Sequence, residues 1–354
     1  MKATHQQYTI ALSPMDTLFF RSGVPFGMGE ETWAESSLIP NPSVLWGALF
    51  TTMLHEGILT KDLLDELEIK DLLDELVIKD IFLYQKSPVK KLIPAPLDIY
   101  FEKGKKHLIS EDYQDIMESG VISSLPEQLK SLVLPDTKTK NAESRDFCFI
   151  DWDSFTNNYP KQDNKSNISQ STDIALKSPK IGIGRSNDTL TAQDSQLYRI
   201  DMSEFKKEWK IAVVFEAPIG FPESGVLRLG GEGKTAKFNS ITTDWANIDS
   251  PSTVTDALIK VYFQTPAFFD SGNGIEEISR IPDIHLLSAS IGKPMPIGGY
   301  DMAQKMPKPM RKAVPPGSVY VIKGDINKVR SEISKFFHKD DLSRGYCIFH
   351  CLQF

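Results

Sequence analysis

The sequence predicts an α+β fold organised as two domains. Short, strand-like apolar runs are interleaved with a few helical segments in each half of the chain. A chain of 354 residues is long enough for two domains, and 40% apolar with 25% charged residues is ordinary for a soluble protein. We expect the domains at residues 1–205 and 206–354, because a clear strand over residues 210–215 begins a new set of elements.

The first domain begins with a strand and a helix. Residues 8–20 predict a strand, a turn and a second short apolar run. Pro42, with a helix-capping residue on either side, predicts the start of a helix. Apolar residues then recur at helical spacing up to Met53, and Gly57 is typical of a helix end.

A tandem nonapeptide, KDLLDELEI followed by KDLLDELVI, occupies residues 61–78. Two copies are too few for a solenoid. Nine residues make about 2.5 helical turns, so the two apolar sets would fall on opposite sides of a straight helix. We interpret the duplication as a longer surface helix pair or loop, and an acidic docking surface for a partner is the alternative.

A polar segment and a hairpin complete the first domain. Residues 135–180 predict a long loop with the composition of a disordered segment, centred on the Asn-, Ser-, Gln- and Lys-rich residues 161–172. Residues 181–185 and 196–200 predict the two strands of a hairpin that protrudes over residues 181–200.

The second domain is predicted to contain further strands and one helix. After residues 210–215, strands are expected at 261–263, 286–291, 319–322 and 346–352, and a helix at 326–338.

Charge and cysteine usage narrow the class of protein. A formal net charge of −7 argues against coating nucleic acid by charge alone, but residues 285–323 carry six bases and one acid and could line a local groove. Three cysteines, an odd and low number, fit a reducing compartment. No run approaches a membrane span and residues 1–8 are polar, so we expect a cytoplasmic protein with no membrane contact.

Two glycine-rich, lysine-bearing loops predict anion binding. Glycine lets the backbone turn sharply and approach a phosphate closely. The first loop, residues 228–234, and the second, residues 291–301, contribute the candidate phosphate contacts Arg228, Gly230, Gly231, Lys234, Lys293, Gly298 and Gly299.

The first loop also resembles the end of a nucleotide-binding P-loop. The P-loop pattern needs a glycine at the position of Arg228 and a helix after Lys234, and residues 238–243 look extended instead. We therefore prefer a contact to a phosphate backbone over ATP or GTP binding, and a plain turn in a sheet is the third interpretation.

Further arginines have two interpretations each. Arg21 forms either a bridge to Asp16 or a phosphate contact. The arginines of the proposed hairpin are either exposed to solvent or in contact with the backbone of a partner, which the neighbouring glycines would allow to approach closely. These residues are Gly182, Gly184, Arg185 and Arg199. Arg311 follows the second loop in a basic run, which forms either a solvated face or a groove for phosphates.

No catalytic group, metal site or cofactor is predicted. None of the six histidines lies in a known catalytic motif, although a distant His–Tyr–Lys set that cleaves RNA stays open. Cys347 and Cys351 are interpreted as buried residues of the terminal strand, with His350 on its other face.

Five segments follow one another in a recognisable order: residues 14–21 with Pro25 and Phe26, residues 182–185 leading to Leu197 and Tyr198, residues 229–234, residues 298–301, and residues 315–320. Together they resemble one family, the repeat-associated (RAMP) subunit of type III-B CRISPR effectors that caps the 5′ end of the crRNA in the Cmr complex. The nonapeptide duplication is not part of this pattern, and Tyr300 stands where the family pattern has tryptophan.

The resemblance implies two modified ferredoxin-like (RRM-like) domains, with residues 181–200 as a thumb and both glycine-rich loops on the RNA. It implies binding of the 5′ handle of the crRNA, contacts to the large palm-domain subunit and to a backbone RAMP subunit, and target RNA met only through the guide. The subunit would not be the nuclease. A crRNA-processing endoribonuclease of the same superfamily and a nucleotide-binding enzyme are the alternatives.

Overall fold

The computed structural model describes most of the chain. The described residues are 5–21, 33–59, 76–102, 105–108, 113–115, 130–132, 148–161, 166–185, 188–189, 191–242, 245, 257–301 and 306–354. Residues 61–75 of the nonapeptide repeat and residues 135–147 of the predicted loop lie outside them. None of the described helices is long and apolar enough to cross a membrane.

Strands outnumber helices in the described chain. The helices are α1 (Pro42–His55), α2 (Trp152–Asn157), α3 (Ser171–Ile174), α4 (Ile275–Ser279), α5 (Ile326–Ser334) and α6 (Lys339–Ser343). The strands up to the hairpin are β1 (His5–Pro14), β2 (Trp33–Glu35), β3 (Val77–Lys86), β4 (Val89–Pro94), β5 (Ile99–Glu102), β6 (Lys105–Leu108), β7 (Tyr113–Asp115), β8 (Lys130–Leu132), β9 (Cys148–Asp151), β10 (Ile168–Gln170), β11 (Ala175–Arg185) and β12 (Ala192–Phe205). The remaining strands are β13 (Trp209–Pro218), β14 (Ser224–Arg228), β15 (Thr235–Ser240), β16 (Ala257–Phe263), β17 (His285–Ser290), β18 (Met295–Ile297), β19 (Tyr300–Asp301), β20 (Met306–Pro307), β21 (Arg311–Ala313), β22 (Val319–Gly324) and β23 (Phe349–Gln353).

The first sheet has eight strands in the order β10-β9-β4-β3-β13-β1-β15-β14, and neighbouring strands are antiparallel. Side chains alternate between its faces. Ile10 and Leu12 of β1 pack in the cluster that contains Leu45 and Leu49 of α1, whereas Ala11 belongs to the cluster on the opposite face. The helix thus covers one face and leaves the other for the second sheet.

The second sheet has four antiparallel strands in the order β17-β22-β16-β23. Ile259, Val261 and Phe263 of β16 pack in one cluster with Val329 and Ile333 of α5. A separate cluster joins the two sheets, since it holds residues of β3 and β4 together with residues of β16, β22 and β23. The layers therefore follow one another as helix, sheet, sheet and helix.

A buried ionic contact lies between the sheets. The ammonium of Lys260 on β16 lies 2.8 Å from a carboxylate oxygen of Asp98 in the first half, and both side chains are under 5% exposed. The hydroxyl of Tyr159 donates to Asp98 at 2.7 Å. Burial and the neighbouring Asp98 raise the pKa of Tyr159 well above its usual value, so the neutral phenol is the donor. We call Lys260, Asp98 and Tyr159 the buried triad.

Tyr262 of β16 and Gln264, the first residue after β16, extend this polar contact. The hydroxyl of Tyr262 donates to the carbonyl of Pro94 at 2.6 Å. The amide of Gln264 donates to Asp80 at 2.5 Å and to the carbonyl of Ile81 at 2.8 Å. Because side chains two residues apart share a face of a strand, one face of β16 binds the first half by hydrogen bonds.

The first sheet continues past residues 205–206, where the sequence analysis places the domain boundary. β13, β14 and β15 belong to the first sheet, so the change to the second sheet falls between residues 242 and 257. The reason lies in the pairing of β13, which fills the gap between β1 and β3.

The prediction of a long loop over residues 135–180 is wrong from residue 148 onwards, where the structure describes the chain. That part forms β9, α2, β10, α3 and the first half of β11. A few apolar side chains are enough to fix it, since Trp152 and Phe155 are buried against the inter-sheet cluster. Asp151 also caps α2, accepting a hydrogen bond from the amide of Asp153 at 2.9 Å.

The C-terminal elements are shorter than expected. The helix predicted at 326–338 ends at Ser334. The last strand begins at Phe349, and Cys347 precedes it with a φ of 59°. The interpretation of Cys347 as a strand residue was therefore wrong, although Cys347 and Cys351 are both buried as expected.

Candidate nucleic-acid interface

The first glycine-rich loop is the turn of the β14–β15 hairpin. Its backbone is left-handed at Gly230 (φ 85°), Glu232 (φ 58°) and Gly233 (φ 66°). The amide of Leu229 donates to the carbonyl of Lys234 at 2.9 Å and closes the turn. Lys234 leads into β15, as the extended pattern after the loop predicted, whereas a P-loop lysine opens a helix.

This turn lies directly on the chain segment that follows β1. A Cβ added to Gly230 would stand 2.7 Å from the carbonyl oxygen of Phe19 and 3.0 Å from the ring of Phe20, so only glycine fits there. The amide of Gly231 donates to the same Phe19 carbonyl at 3.0 Å. The Gly231 amide, which the sequence had suggested for a phosphate, is thus already bonded within the protein.

The predicted hairpin is present and is longer than expected. β11 pairs antiparallel with β12, and β12 pairs in parallel with β2. Ile181 is 69% exposed, as expected of a hairpin that projects from the sheets. Its base is attached to the segment after β1, because Leu18 and Ser203 exchange backbone hydrogen bonds of 2.9 and 2.8 Å.

Three chain segments therefore meet at residues 18–20. Leu18 binds the hairpin, and the next residue, Phe19, binds the glycine-rich turn. The Phe19 side chain also packs against Ile200 and Met202 of β12. The exact position of the hairpin relative to the turn is fixed by these consecutive contacts.

The hairpin residues proposed from the sequence have different environments. Gly182 lies under the ring of Tyr198, which a Cβ would overlap, so this glycine permits an internal contact. The guanidinium of Arg199 lies 2.9 Å from the buried carboxylate of Asp201. Gly184 and Arg185 lie at the outer end of β11, where Arg185 is opposite Ala192.

Charged side chains from three segments form one cluster beside the turn. The ammonium of Lys180 on β11 lies 2.7 Å from Glu232, and that of Lys234 pairs with Asp16. The hydrogen bond that Lys234 donates to Asp16 holds the pKa of Asp16 below its usual value, and the hydrogen bond that Lys180 donates to Glu232 raises the pKa of Lys180. We call Asp16, Lys180, Glu232 and Lys234 the charge cluster. The predicted alternative of an Asp16–Arg21 bridge was wrong, since Lys234 takes that place.

Two predicted arginines lie at the edge of this region. Arg228 is exposed at the end of β14, opposite Thr235. Arg21 is also exposed, and its backbone forms a bridge with Ser36. Both side chains are accessible to a ligand that lies on the turn.

The second glycine-rich loop belongs to a ribbon formed by β18 and β21 and by β19 and β20. Lys293 is exposed at its start. Gly298 packs near the thioether of Met310, and the carbonyl of Gly299 accepts from the amide of Lys308 at 2.9 Å. At its start the loop also touches the first half of the chain, because a Cβ on Gly292 would lie 2.7 Å from Pro315 and 3.0 Å from Leu97.

Arg311, the last of the arginines proposed from the sequence, has partners within the protein. Its guanidinium forms two hydrogen bonds of 2.8 and 2.9 Å with Asp341, whose side chain is 6% exposed. The same guanidinium lies 3.7 Å from the centre of the Phe268 ring. A bidentate, stacked arginine in this setting fixes the ribbon to the second core.

Sequence reasoning missed Lys180, Glu232 and Tyr198. Lys180 fell inside the segment interpreted as a polar loop, and Tyr198 was noted only as part of the family pattern. The alternation of Lys180 with Gly182 on one strand was a signal that could have placed this lysine on the hairpin face.

The described residues bring together groups suited to binding anions. Within them, no cluster of three or more His, Cys, Asp or Glu side chains could hold a metal ion. Among the histidines, His350 lies with Nε2 2.8 Å from the Gln264 side-chain oxygen and packs on Trp152, Phe155 and Tyr262. That histidine supports the packing between the sheets.

Together, these features define a mixed α/β, sheet-dominated protein with a cation-lined surface at a glycine-rich turn. The family model described as "CRISPR-associated protein (Cas_Cmr3)" matches residues 10–337. The chain therefore belongs to this family of CRISPR-associated proteins.

Solved structures share the fold. A chain of the cryo-EM structure of the type III-B Cmr-beta bound to cognate target RNA matches with a TM-score of 0.54 and 18% identity, over 96% of each chain. A chain of the same type of complex with target RNA and AMPPnP, state 1, matches with a TM-score of 0.52 and 18% identity, over 96% of this chain and 94% of that one. No curated protein matches the chain.

Proposed function

We propose that this chain is a non-catalytic, crRNA-binding scaffold subunit of a type III-B CRISPR effector in the cytoplasm. It holds the repeat-derived 5′ handle of the crRNA and joins the large palm-domain subunit to a backbone RAMP subunit. Target RNA is met only indirectly, through the guide. The family match over residues 10–337 and the fold shared with chains of Cmr-beta complexes support this proposal.

The observation that carries the proposal is the junction at residues 18–20. One short segment holds both the projecting hairpin, through Leu18, and the glycine-rich turn, through Phe19. Single-stranded RNA is bound by cations along its backbone and by surfaces that receive its bases. A hairpin and a basic turn held at a fixed separation suit a short RNA segment that passes between them.

Charge segregation reconciles this role with a net charge of −7. Arg21, Lys180, Arg228 and Lys237 are all exposed near the turn or on the strands that carry it. Phosphate binding depends on such local cations and on the release of counterions rather than on the total charge.

We further propose that each large sheet is the core of a modified ferredoxin-like domain. In the second half, β16, α4, β17, β22, α5 and β23 follow the β-α-β-β-α-β order, and the sheet order from β23 to β17 is 4-1-3-2. In the first half, β15, β1, β13 and β3 have the same relation, with the β14 hairpin in place of the second helix. The proposed domains then meet after β15.

The proposal is tested by retention of crRNA in the complex. The tagged chain is purified from cells that carry the neighbouring operon, as wild type and as Arg185→Ala/Arg228→Ala/Lys293→Ala, and the bound RNA is sequenced and quantified. Loss of three phosphate contacts predicts roughly a tenfold or greater loss of RNA at moderate salt. The matched control is Lys335→Ala, which removes an exposed lysine directly after the end of α5, on the far side of the second sheet.

The result expected for the wild type is recovery of several effector subunits with RNAs that share one repeat-derived 5′ end. A lone protein without RNA would contradict the proposal. Defined cleavage products after incubation of the purified chain with unprocessed repeat RNA would favour the endoribonuclease alternative instead.

A further inference from the structure

The charge cluster is unusual for a surface that binds RNA because its lysines are already neutralised. Lys180 pairs with Glu232 at 2.7 Å, and Lys234 pairs with Asp16. The pairs are neighbours, since the Asp16 carboxylate also contributes to the raised pKa of Lys180. Two cations and two anions from three chain segments thus alternate beside the glycine-rich turn.

The backbone at Glu232 indicates that its side chain has a role. Glu232 has a φ of 58°, a left-handed conformation that disfavours residues with a Cβ. Both of its neighbours are glycines, so the chain places a glutamate where a third glycine would fit without strain. The carboxylate produced at this position is aimed at Lys180 on the hairpin, 52 residues away in sequence.

Exposure separates this cluster from a structural ion pair. The side chains of Lys180 and Glu232 are 47% and 41% exposed, and that of Asp16 is 65% exposed, whereas Lys234 is 18% exposed. Exposed ion pairs contribute little to the stability of a fold. The Lys180–Glu232 pair can therefore open at low cost when a second anion approaches Lys180, and Lys234 becomes available when the exposed Asp16 carboxylate moves into solvent.

We propose that Lys180 and Lys234 form a phosphate subsite for single-stranded RNA, and that Glu232 and Asp16 occupy it until RNA displaces them. This inference rests on the proposed function. A phosphodiester must compete with a tethered carboxylate for each lysine, so an RNA that contacts only these lysines gains little binding affinity. An RNA that is already held by the hairpin and the turn can displace the carboxylates and gains the contacts to both lysines as well. The two carboxylates therefore set selectivity against RNA that makes only backbone contacts.

The test compares the full-length chain with Glu232→Gln, using two single-stranded RNAs. One RNA carries the 5′ sequence recovered from the purified complex, and the other is a scrambled RNA of the same length and composition. In Glu232→Gln, we expect affinity for the scrambled RNA to rise about three- to fivefold, since one competing charge is removed. The slope of log affinity against log salt should become steeper by about 0.7, the value for one added phosphate contact on a single strand.

A double-mutant cycle locates the gain at Lys180. Added to Glu232→Gln, Lys180→Ala should abolish the gain in affinity for scrambled RNA. In the wild-type background, Lys180→Ala should weaken scrambled-RNA binding by a smaller factor than it does in the Glu232→Gln background, because Glu232 already occupies the lysine there. The matched control is Glu332→Gln on α5, where a partly exposed glutamate also lies 2.7 Å from a lysine, Lys335. It changes the net charge equally and should leave both affinities unchanged.

Unchanged or weaker binding of scrambled RNA by Glu232→Gln, with a thermal midpoint equal to that of the wild type, would overturn the inference. A gain that persists in the double variant would also overturn it, because Lys180 would then not be the group released. Failure of the proposed function has a different signature, since the wild-type chain would then bind neither RNA.

Discussion

The buried triad and the charge cluster use the same kinds of residues for opposite purposes. In the triad, Lys260 and Asp98 are 4% and 3% exposed, and a tyrosine hydroxyl supplies a further hydrogen bond to the carboxylate. In the charge cluster, Lys180 and Glu232 are 47% and 41% exposed. The first pair connects two sheets, and the second connects a turn to a hairpin.

The difference in burial decides what each contact can do. A buried charge that loses its partner has no water to replace it, so the triad is fixed for as long as the chain is folded. An exposed carboxylate exchanges its lysine for water or for another anion at little cost. Ion pairs at the sheet interface therefore set the geometry, whereas those at the turn are available for exchange with a ligand.

The largest expected effect is on stability at the triad. Lys260→Met leaves the Asp98 carboxylate buried with the Tyr159 hydroxyl alone, and we expect a loss of about 3–5 kcal/mol in the free energy of unfolding. Denaturant unfolding of the full chain measures it. Adding Asp98→Leu removes the stranded charge and should recover much of the loss. A loss below about 1 kcal/mol in the single variant would mean that the triad is not a buried charge pair.

An intermediate effect is expected at Gly230, which lies at the turn but against buried backbone. Gly230→Ala must adopt a φ near 85° and place a Cβ 2.7 Å from the Phe19 carbonyl oxygen. We expect a loss of about 1–3 kcal/mol in unfolding free energy, together with weaker RNA binding as the turn shifts. Gly233→Ala is the matched control, since its φ is also positive but no atom lies within 4 Å of the added Cβ. Equal losses in both variants would exclude the contact with Phe19 as the cause.

The smallest effect on stability is expected at the charge cluster itself. Lys180→Ala should change the unfolding free energy by no more than about 0.5 kcal/mol, because the pair with Glu232 is exposed and screened by salt. The measurement is the same denaturant titration used for Lys260→Met. A loss of unfolding free energy in Lys180→Ala as large as that in Lys260→Met would contradict the view that the exposed ion pair contributes much less to stability than the buried one.

The strands of this fold were predictable where apolar residues alternate or run together. The segments at 210–215, 261–263 and 319–322 lie in β13, β16 and β22, and the helix predicted from Pro42 is α1. Periodicity reports local structure only, so it could not show that β13 pairs between β1 and β3. The extent of the first sheet was not predictable for that reason.

The site was predictable in its segments but not in its contacts. The glycines at 230 and 231 were recognised, yet their purpose depends on the Phe19 carbonyl, which is far away in sequence. Arg311 was indistinguishable from its basic neighbours until Asp341 and Phe268 were placed beside it. Glu232 and Lys180 required the hairpin register, which composition does not encode.

The most direct measurement is ultraviolet crosslinking of the purified effector complex, followed by mass spectrometry of the RNA-linked peptides of this chain. We predict crosslinks to the handle from peptides of the hairpin strands β11 and β12 and from the turn at residues 228–234. The α5 surface around Lys335 should yield none. Handle crosslinks confined to α5 and its neighbours, with the hairpin and the turn unlabelled, would contradict the placement of RNA at the junction of these segments.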